Sequence, residues 1–266
     1  YEEHGELWLL LEFCQYGDLR NYLLKNGEKI MSGLENDSMS SRCLIAWSYD
    51  IAKGMQHLAK NQIMHGDLAA RNVLISDDPF QCGHLVAKVS DFGLSKAFSD
   101  NVAYRKKQRN YVPWKWMALE YMTSDYFTLT SDVWSFAVVV WEILSVGKIP
   151  YGYQSFDETL EQLKNGYRLP CPTETKHISS WSTKNFYSKV SEICFVAEPI
   201  HRGTFSDVIY GAHLGEESFL FVGFGTRFFD YNNDGHLDLF IANGHIIDNI
   251  ERTTDILTYA QRNQLF

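Results

Sequence analysis

The sequence predicts a mainly α-helical domain with a little sheet, followed by a small all-β segment. Five apolar residues at helical spacing indicate an amphipathic helix that Ser40 or Ser41 caps and that ends near Lys60: Leu44, Trp47, Ile51, Met55 and Leu58. The segment SDVWSFAVVVWEILSVG, opened by Thr130 or Ser131, is apolar on nearly all sides, which predicts a helix in the middle of the domain. From about residue 208 onwards, short apolar runs alternate with turn residues, which indicates strands.

The other elements follow in chain order. ELWLLLEF (6–13) is rich in Leu and aromatic residues, which predicts a buried strand. Residues 18–25 suggest a short helix, and the polar, Gly-containing stretch 26–38 predicts a loop or an insert. NVLIS and LVAKVS predict two short strands around a turn, and FDETLEQLKNG and KNFYSKVSEICFVA predict two more amphipathic helices. Gly147 is a predicted helix C-cap.

Composition and charge narrow the possible classes of function. Hydrophobic residues make up 45% of the 266 residues, so we expect a sizeable core. The formal net charge is 24 − 33 = −9, which argues against a protein that binds nucleic acid through bulk charge. Five scattered cysteines without a CxxC pair indicate reduced, intracellular thiols. The longest apolar run, 133–144, holds Glu142 and is too short to span a bilayer, so we expect a membrane anchor only outside these residues.

The stretch HGDLAARNVL (65–74) places three chemically useful side chains within six residues: Asp67, Arg71 and Asn72. Asp67 can act as a base for a hydroxyl group. Asn72 and Asp91 of the later DFG triplet offer hard oxygen ligands for Mg²⁺, which suits in-line phosphoryl transfer. An isolated Asp–Asn pair is more often a turn or a helix cap than a site, but the joint pattern is far more specific.

Residues 6 to about 207 resemble the C-terminal lobe of a protein kinase, specifically an animal-type tyrosine kinase of the receptor class. The family's motifs are HRDLAARN, DFG, PVKWMAPE and SDVWSFG, and this chain has HGDLAARN, DFG, VPWKWMALE and SDVWSFA. The resemblance implies an incomplete α+β kinase fold with most of its N-terminal lobe missing. It also implies ATP and Mg²⁺ as cofactors, protein tyrosine residues as substrates, and a cytoplasmic position on the inner side of a membrane receptor.

The same resemblance implies roles for individual residues. Asp67 is the catalytic base, assisted by Arg71, and Asn72 and Asp91 bind Mg²⁺. The hinge and the floor of the adenine pocket correspond to Leu11, Glu12, Phe13, Cys14 and Leu74. Structural roles fall to His65 at the DFG backbone, to Asp132 bracing the catalytic loop, and to Glu120 paired with Arg202.

Specificity for tyrosine has its own signature in the resemblance. Serine/threonine kinases carry a Lys two residues after the base, whereas here that position is Ala69 and the cation is Arg71. Pro113 and Trp116 match the platform on which the substrate tyrosine rests. Tyr104 matches an activation-loop autophosphorylation site, where a phosphate would meet basic neighbours.

The chain also departs from the family pattern. Gly66 replaces the arginine that reads the phosphorylated activation loop, Trp114 replaces a small β-branched residue, and Leu119 replaces Pro. A Gly-rich loop, a strand Lys and a helix Glu precede the hinge in the family, and these residues are absent here. We therefore expect negligible phosphate transfer by the 266-residue chain itself.

The last sixty residues contain FFDYNNDGHLDLF, whose spacing of oxygen ligands is typical of a Ca²⁺ loop: Asp230, Asn232, Asp234 and Asp238. The loop resembles that of FG-GAP/VCBS repeats, the blades of integrin-like β-propellers, which are usually extracellular. An acidic β-turn without metal is the alternative. We expect a kinase C-lobe at 1–207, a junction at 208–215 and a repeat fragment at 216–266.

Two further interpretations of the function of the chain remain open. A pseudokinase-like lobe without catalysis is one, and a calcium-binding adhesive module from a chimeric gene model is the other. An upstream GxGxxG with a strand Lys would favour the enzyme. The expected partners of the enzyme are ATP and tyrosine-containing proteins, without nucleic acid, and with a membrane only through segments outside this sequence.

Overall fold

The computed structural model describes residues 2–3, 6–7, 11–36, 38–77, 85–91, 95–97, 104–105, 113–124, 126–172, 181–211, 222–229, 238–244 and 264–265. The chain divides into two compact units, Tyr1–Leu214 and Gly215–Phe266. The domain boundaries expected from the sequence remain predictions. In the described ranges no helix is both long and apolar enough to cross a membrane.

Helices dominate the described part of the first unit. They are α1 (Leu19–Asn36), α2 (Ser38–Lys60), α3 (Leu119–Ser124), α4 (Leu129–Leu144), α5 (Phe156–Lys164), α6 (Trp181–Cys194) and α7 (Phe205–Gly211). Short 3-10 turns occupy Ala70–Asn72, Trp114–Trp116 and Pro199–His201.

The strands of this unit form antiparallel pairs: β1 (Glu2–Glu3) with β2 (Glu6–Leu7), β3 (Ile63–Met64) with β6 (Lys96–Ala97), β4 (Val73–Asp77) with β5 (Leu85–Val89), and β7 (Tyr104–Arg105) with β8 (Tyr126–Phe127). The predicted hairpin of NVLIS and LVAKVS is thus present as β4 and β5. The catalytic-loop residues 65–72 connect β3 to β4, so two short strands fix both ends of that loop.

Helix α4 is the centre of the unit, since nearly every one of its residues is buried. Thr128 caps the helix, two or three residues before the predicted Thr130 or Ser131, and its backbone N–H donates to Ser131 Oγ at 3.1 Å. At the other end the C-cap is Ser145, and Gly147 lies two residues beyond it with φ +82°. The Gly147 N–H donates to Glu142 O at 2.8 Å, which closes the helix.

The strand predicted for the start of the chain is present only in part, and residues 8–10 lie outside the described residues. In ELWLLLEF the described strand covers only Glu6–Leu7, and Leu11 and Phe13 are 73% and 84% exposed. The following chain runs beside β4, where the Tyr16 N–H donates to Ile75 O, so backbone pairing rather than apolar burial positions it.

The predicted loop at 26–38 is instead helical, because α1 continues to Asn36 and α2 begins at Ser38. Ile30 packs against the core, and a Cβ on Gly27 would lie 3.1 Å from Val146 Cγ1. Close packing against the rest of the unit therefore outweighs the weak helix propensity of the glycine.

In the second unit, three strands form an antiparallel sheet in the order β11 (Gln264–Leu265), β10 (Asp238–Gly244) and β9 (Val222–Phe229). Asp238 lies opposite Phe229, and the register shifts between Ala242 and Asn243. The segment 230–237, which holds most of the predicted Ca²⁺ ligands, lies outside the described residues.

The ion pair between Glu120 and Arg202 joins distant parts of the first unit. Arg202 Nη1 and Nη2 donate to the two carboxylate oxygens of Glu120 at 2.7 and 2.8 Å. The guanidinium also donates to the Thr130 and Val196 carbonyls and lies 5.2 Å from the centre of a Trp134 ring. Arg202 is only 4% exposed, so its charge depends on these partners.

We expect Arg202→Ala to lower the free energy of unfolding by about 3–5 kcal/mol, because it leaves a largely buried Glu120 without its cation. The exposed pair Lys189–Glu192 is a matched control, and Lys189→Ala should change stability by less than about 1 kcal/mol. Urea unfolding followed by tryptophan fluorescence measures both variants. Equal effects of the two substitutions would contradict the importance of the buried pair.

Candidate active site

Asp67 is the centre of the site. Its carboxylate accepts from Arg71 Nη2 at 2.5 Å and from Asn72 Nδ2 at 2.9 Å, one donor for each oxygen. Asn72 Nδ2 also donates to the Asp67 carbonyl at 2.7 Å. The Asp67 side chain keeps 18% of its surface exposed, so a hydroxyl group can approach a carboxylate whose orientation is fixed.

Asp132 of α4 holds the loop 65–72 through its backbone. It is 1% exposed, and its two carboxylate oxygens accept from the backbone N–H groups of His65 at 2.8 Å and Gly66 at 3.0 Å. Gly66 has φ +79°, a conformation that costs other residues about 1–2 kcal/mol, so the residue before the base suits this backbone. Burial raises the pKa of Asp132 to about 7, although the two amides lower it.

His65 links the base to the DFG segment. The Asp67 N–H donates to His65 Nδ1 at 3.3 Å, so Nε2 carries the proton and donates to Ser90 O at 3.0 Å. His65 is fully buried, and burial lowers its pKa despite the nearby acids. The neutral ring therefore joins two backbone segments, and its structural role stays a prediction.

Asn72 and Asp91 are the predicted Mg²⁺ ligands. Both hydrogen bonds of the Asn72 side chain use Nδ2, so its amide oxygen is the atom that can face a cation. Ser90 donates to Asn72 O from both its N–H and its hydroxyl, at 2.9 and 3.0 Å, which ties the backbone before Asp91 to Asn72. Asp91 itself is exposed and has φ +60°.

These two residues fit Mg²⁺, because that ion takes one or two protein oxygens and completes its shell with phosphates and water. In the described ranges no three His, Cys, Asp or Glu side chains are grouped to hold a metal. The phosphates of a nucleotide would have to supply the remaining ligands of such an ion.

A second acid of α4, Glu142, reaches the same loop. Its Oε2 accepts from the Ala70 N–H at 2.9 Å and from Trp116 Nε1 at 2.7 Å, and Glu142 is fully buried. Burial raises the pKa of Glu142 to about 7, against the lowering effect of these hydrogen bonds. Sequence reasoning assigned Glu142 no role in the site, although a single acid inside an apolar helix is a signal that could have done so.

Trp116 connects Glu142 to Arg71 and, through Arg71, to Asp67. The Arg71 guanidinium carbon lies 4.5 Å from the centre of a Trp116 ring, while the same guanidinium contacts Asp67. Trp116 belongs to the predicted substrate platform. Its neighbour Trp114 packs edge-on against Phe156 of α5 at 5.9 Å, so this departure from the family motif is accommodated by an aromatic contact.

The predicted adenine-binding residues lie beside the β4–β5 hairpin. Glu12 contacts Lys88 Nζ at 2.5 Å, and Lys88 pairs across the hairpin with Leu74. Asp18 forms a backbone bridge with Leu74 as well. Opposed residues of an antiparallel pair share a face, so Glu12 contacts a side chain on the face of the hairpin that carries Leu74. Leu11 is exposed and Cys14 is half-buried, and their contact with adenine stays a prediction.

Other predicted site residues are described only in part. Tyr104 lies in β7 opposite Phe127, and Asp238 begins β10, but the side chains of Tyr104 and Asp238 are outside the described part of the chain. Asp230, Asn232 and Asp234 are outside it altogether. The phosphorylation site and the calcium loop therefore stay predictions.

A buried helix that braces a loop with Asp67 and Asn72, followed by a further acid at Asp91, is the arrangement predicted for a phosphoryl-transfer site of the protein kinase class. The chain belongs to the protein tyrosine and serine/threonine kinase family, whose profile matches residues 1–211. The predicted kinase-like, mostly helical domain is confirmed to that extent.

Similar proteins include growth factor receptors. The chain is 38% identical over 180 residues to a fibroblast growth factor receptor of Ciona intestinalis, a match that covers 64% of this chain and 23% of that protein. It is 37% identical over 208 residues to the myoblast growth factor receptor egl-15 of Caenorhabditis elegans, covering 68% and 19% of the two chains. An angiopoietin-1 receptor of Danio rerio is 35% identical over 222 residues, covering 78% and 18%.

The chain thus spans about a fifth of the length of these relatives. The family match and these similar receptors support the prediction of a tyrosine kinase domain.

Asp132→Asn should change the pH dependence of stability. The pKa of Asp132 is raised from 3.8 to about 7, so between these values the folded chain holds a proton that the unfolded chain has released. That contribution is complete below the unfolded pKa and is lost as pH rises through about 7. We therefore expect the stability advantage of the wild type over Asp132→Asn to shrink as pH rises from about 5 to about 8.

Urea midpoints of both proteins across this pH range measure the advantage. An advantage that stays constant or grows with pH would show that Asp132 is already ionised in the folded chain at low pH.

Proposed function

We propose that this kinase domain transfers the γ-phosphate of ATP to tyrosine side chains of proteins. The observation that carries the proposal is the fixed carboxylate of Asp67, held by Arg71 and Asn72 and still open to solvent on one side. A base in this position accepts the proton of an attacking hydroxyl group. Arg71 places a permanent cation beside it, where the transferred phosphate would be.

The surroundings of the base favour tyrosine over serine or threonine. Ala69, the position of the family's Lys in serine/threonine kinases, is fully buried and brings no side chain to the front of Asp67. Arg71 instead lies against the Trp116 ring, at the edge of the segment that begins with Pro113. Such an arrangement would suit the long side chain of tyrosine, as the family resemblance implies.

Asn72 and Asp91 would hold Mg²⁺ with the phosphates of ATP. The ion would neutralise phosphate charge during transfer. The hinge residues beside Leu74 would hold adenine, as the family resemblance implies. The receptor relatives favour a cytoplasmic position on the inner side of a membrane receptor, and tyrosine-containing proteins and ATP would be the partners.

A transfer assay tests the proposal. It compares the 266-residue chain with the longest polypeptide encoded by a transcript that contains it, using a tyrosine peptide and the same peptide with serine. We expect the longer protein to label tyrosine only, and Asp67→Asn to lower the rate by a factor of about 10²–10⁴. The 266-residue chain, measured beside it, shows whether these residues suffice for transfer. Transfer that survives Asp67→Asn, or equal labelling of serine, would contradict the proposal.

We also propose that the second unit binds Ca²⁺ between β9 and β10. The antiparallel register places Asp238 opposite Phe229, so the two ends of the acidic segment 230–237 meet. Oxygen ligands at both ends and within that segment, with Gly235 at its turn, match the chemistry that Ca²⁺ requires. The unit would then correspond to a fragment of an FG-GAP/VCBS repeat.

Calorimetric titration of the chain with Ca²⁺ tests this second proposal. We expect one site that discriminates against Mg²⁺ and that Asp234→Asn abolishes, because the substitution removes a charged ligand. Asp157→Asn, an exposed acid of α5, is the control. Binding that both variants leave unchanged, or no binding by the wild type, would contradict a calcium site.

A further inference from the structure

We propose that Glu142 is a positioning residue for phosphoryl transfer: one oxygen of its carboxylate holds the catalytic loop and the substrate platform in a fixed relation, so that Arg71 stays against Asp67. The inference rests on the proposed tyrosine kinase function. It assigns to Glu142 a role that is exerted through Ala70 and Trp116.

The geometry consists of two hydrogen bonds to one atom. Glu142 Oε2 accepts from the Ala70 N–H at 2.9 Å and from Trp116 Nε1 at 2.7 Å. Ala70 belongs to the catalytic loop, and Trp116 to the 3-10 turn of the platform. Two segments that are 46 residues apart in the sequence (70 and 116) thus share an acceptor on a third.

A closed ring of contacts follows from this shared acceptor. Trp116 stacks with the Arg71 guanidinium at 4.5 Å, Arg71 donates to Asp67 at 2.5 Å, and Ala70 adjoins Arg71 in the chain. A shift of Trp116 would therefore move the surface on which Arg71 rests. Ser135, also on α4, donates to Trp116 O at 2.7 Å and fixes the backbone of the same turn.

The burial of the Glu142 carboxylate indicates that the acid is kept for its hydrogen bonds. Glu142 is fully buried, and its second oxygen, Oε1, is without a hydrogen-bond partner among the described residues. Leaving a buried oxygen unsatisfied is costly, so a structural core alone would favour an apolar residue here. Retention of an acid at such a cost fits a residue kept for the two donors at Oε2.

Substitutions separate the hydrogen bonds from the rest of the packing. Glu142→Leu removes both hydrogen bonds, whereas Glu142→Gln keeps the shape and one oxygen that can accept both donors. Trp116→Phe removes one donor. The control is Trp141→Phe on the same helix, because the Trp141 indole donates to Pro170 O at 3.0 Å, away from the loop.

The first readout is NMR of the complete 266-residue chain, with the Trp116 indole signal assigned as the one missing in Trp116→Phe. We expect Glu142→Leu to move both the Trp116 indole and the Ala70 amide signals. Glu142→Gln should keep the indole signal close to its wild-type position, and Trp141→Phe should move neither. If Glu142→Leu leaves either signal in place, the shared acceptor does not exist and the inference fails.

The second readout is binding of a tyrosine peptide and of Mg-ATP, each measured separately by calorimetry on the longest polypeptide encoded by a transcript that contains this chain. We expect peptide affinity to fall about five- to tenfold in Glu142→Leu and in Trp116→Phe, with Mg-ATP affinity unchanged. Glu142→Gln should restore most of the peptide affinity. An equal loss in Trp141→Phe, or an equal loss for both ligands, would indicate general loosening and overturn the inference.

The outcomes distinguish this inference from the function on which it rests. Should Glu142→Leu not fold, Trp116→Phe against Trp141→Phe decides the peptide comparison on its own. If the longest encoded wild-type polypeptide binds no peptide, the tyrosine-substrate proposal is refuted and with it the positioning role, whatever the NMR signals show. Peptide binding that ignores Glu142 and Trp116 refutes the positioning role alone.

Discussion

The structure depends on two buried acids in an otherwise apolar helix. Asp132 and Glu142 of α4 together accept hydrogen bonds from the backbone N–H groups of His65, Gly66 and Ala70. Buried carboxylates need donors, and loop amides shielded from water need acceptors. Each requirement satisfies the other, so the loop that carries Asp67 is attached to a helix that is almost wholly buried.

This attachment explains how irregular backbone becomes a rigid site. The Asp67 carboxylate accepts hydrogen bonds from Arg71 and Asn72, but those residues belong to the same loop and could move with it. Asp132 and Glu142 lie on a different element, α4, and their hydrogen bonds fix the position of the whole loop. Trp116 and Ala70 donate to the same oxygen of Glu142, so α4 also holds the predicted substrate platform. The positions of Asp67 and of the platform are therefore fixed by the same helix.

Much of the fold and part of the site could be predicted from the sequence. The periodic apolar residues of α2 and the continuous apolar run of α4 predict buried helices. The motif around Asp67 predicts the chemistry of the site. The continuation of α1 past Gly27 could not be predicted, because it depends on packing against Val146. Nor could the partners of Glu142, since a hydrogen bond from Ala70 depends on tertiary contact and leaves no local pattern.

Hydrogen exchange at single amides tests the central claim most directly. If α4 holds the catalytic loop, the His65, Gly66 and Ala70 amides should exchange as slowly as amides inside α4 itself, since each is a donor to a buried acid. Exchange at the rate of an exposed turn would contradict the account, because the loop would then open without disturbing the helix that is said to hold it.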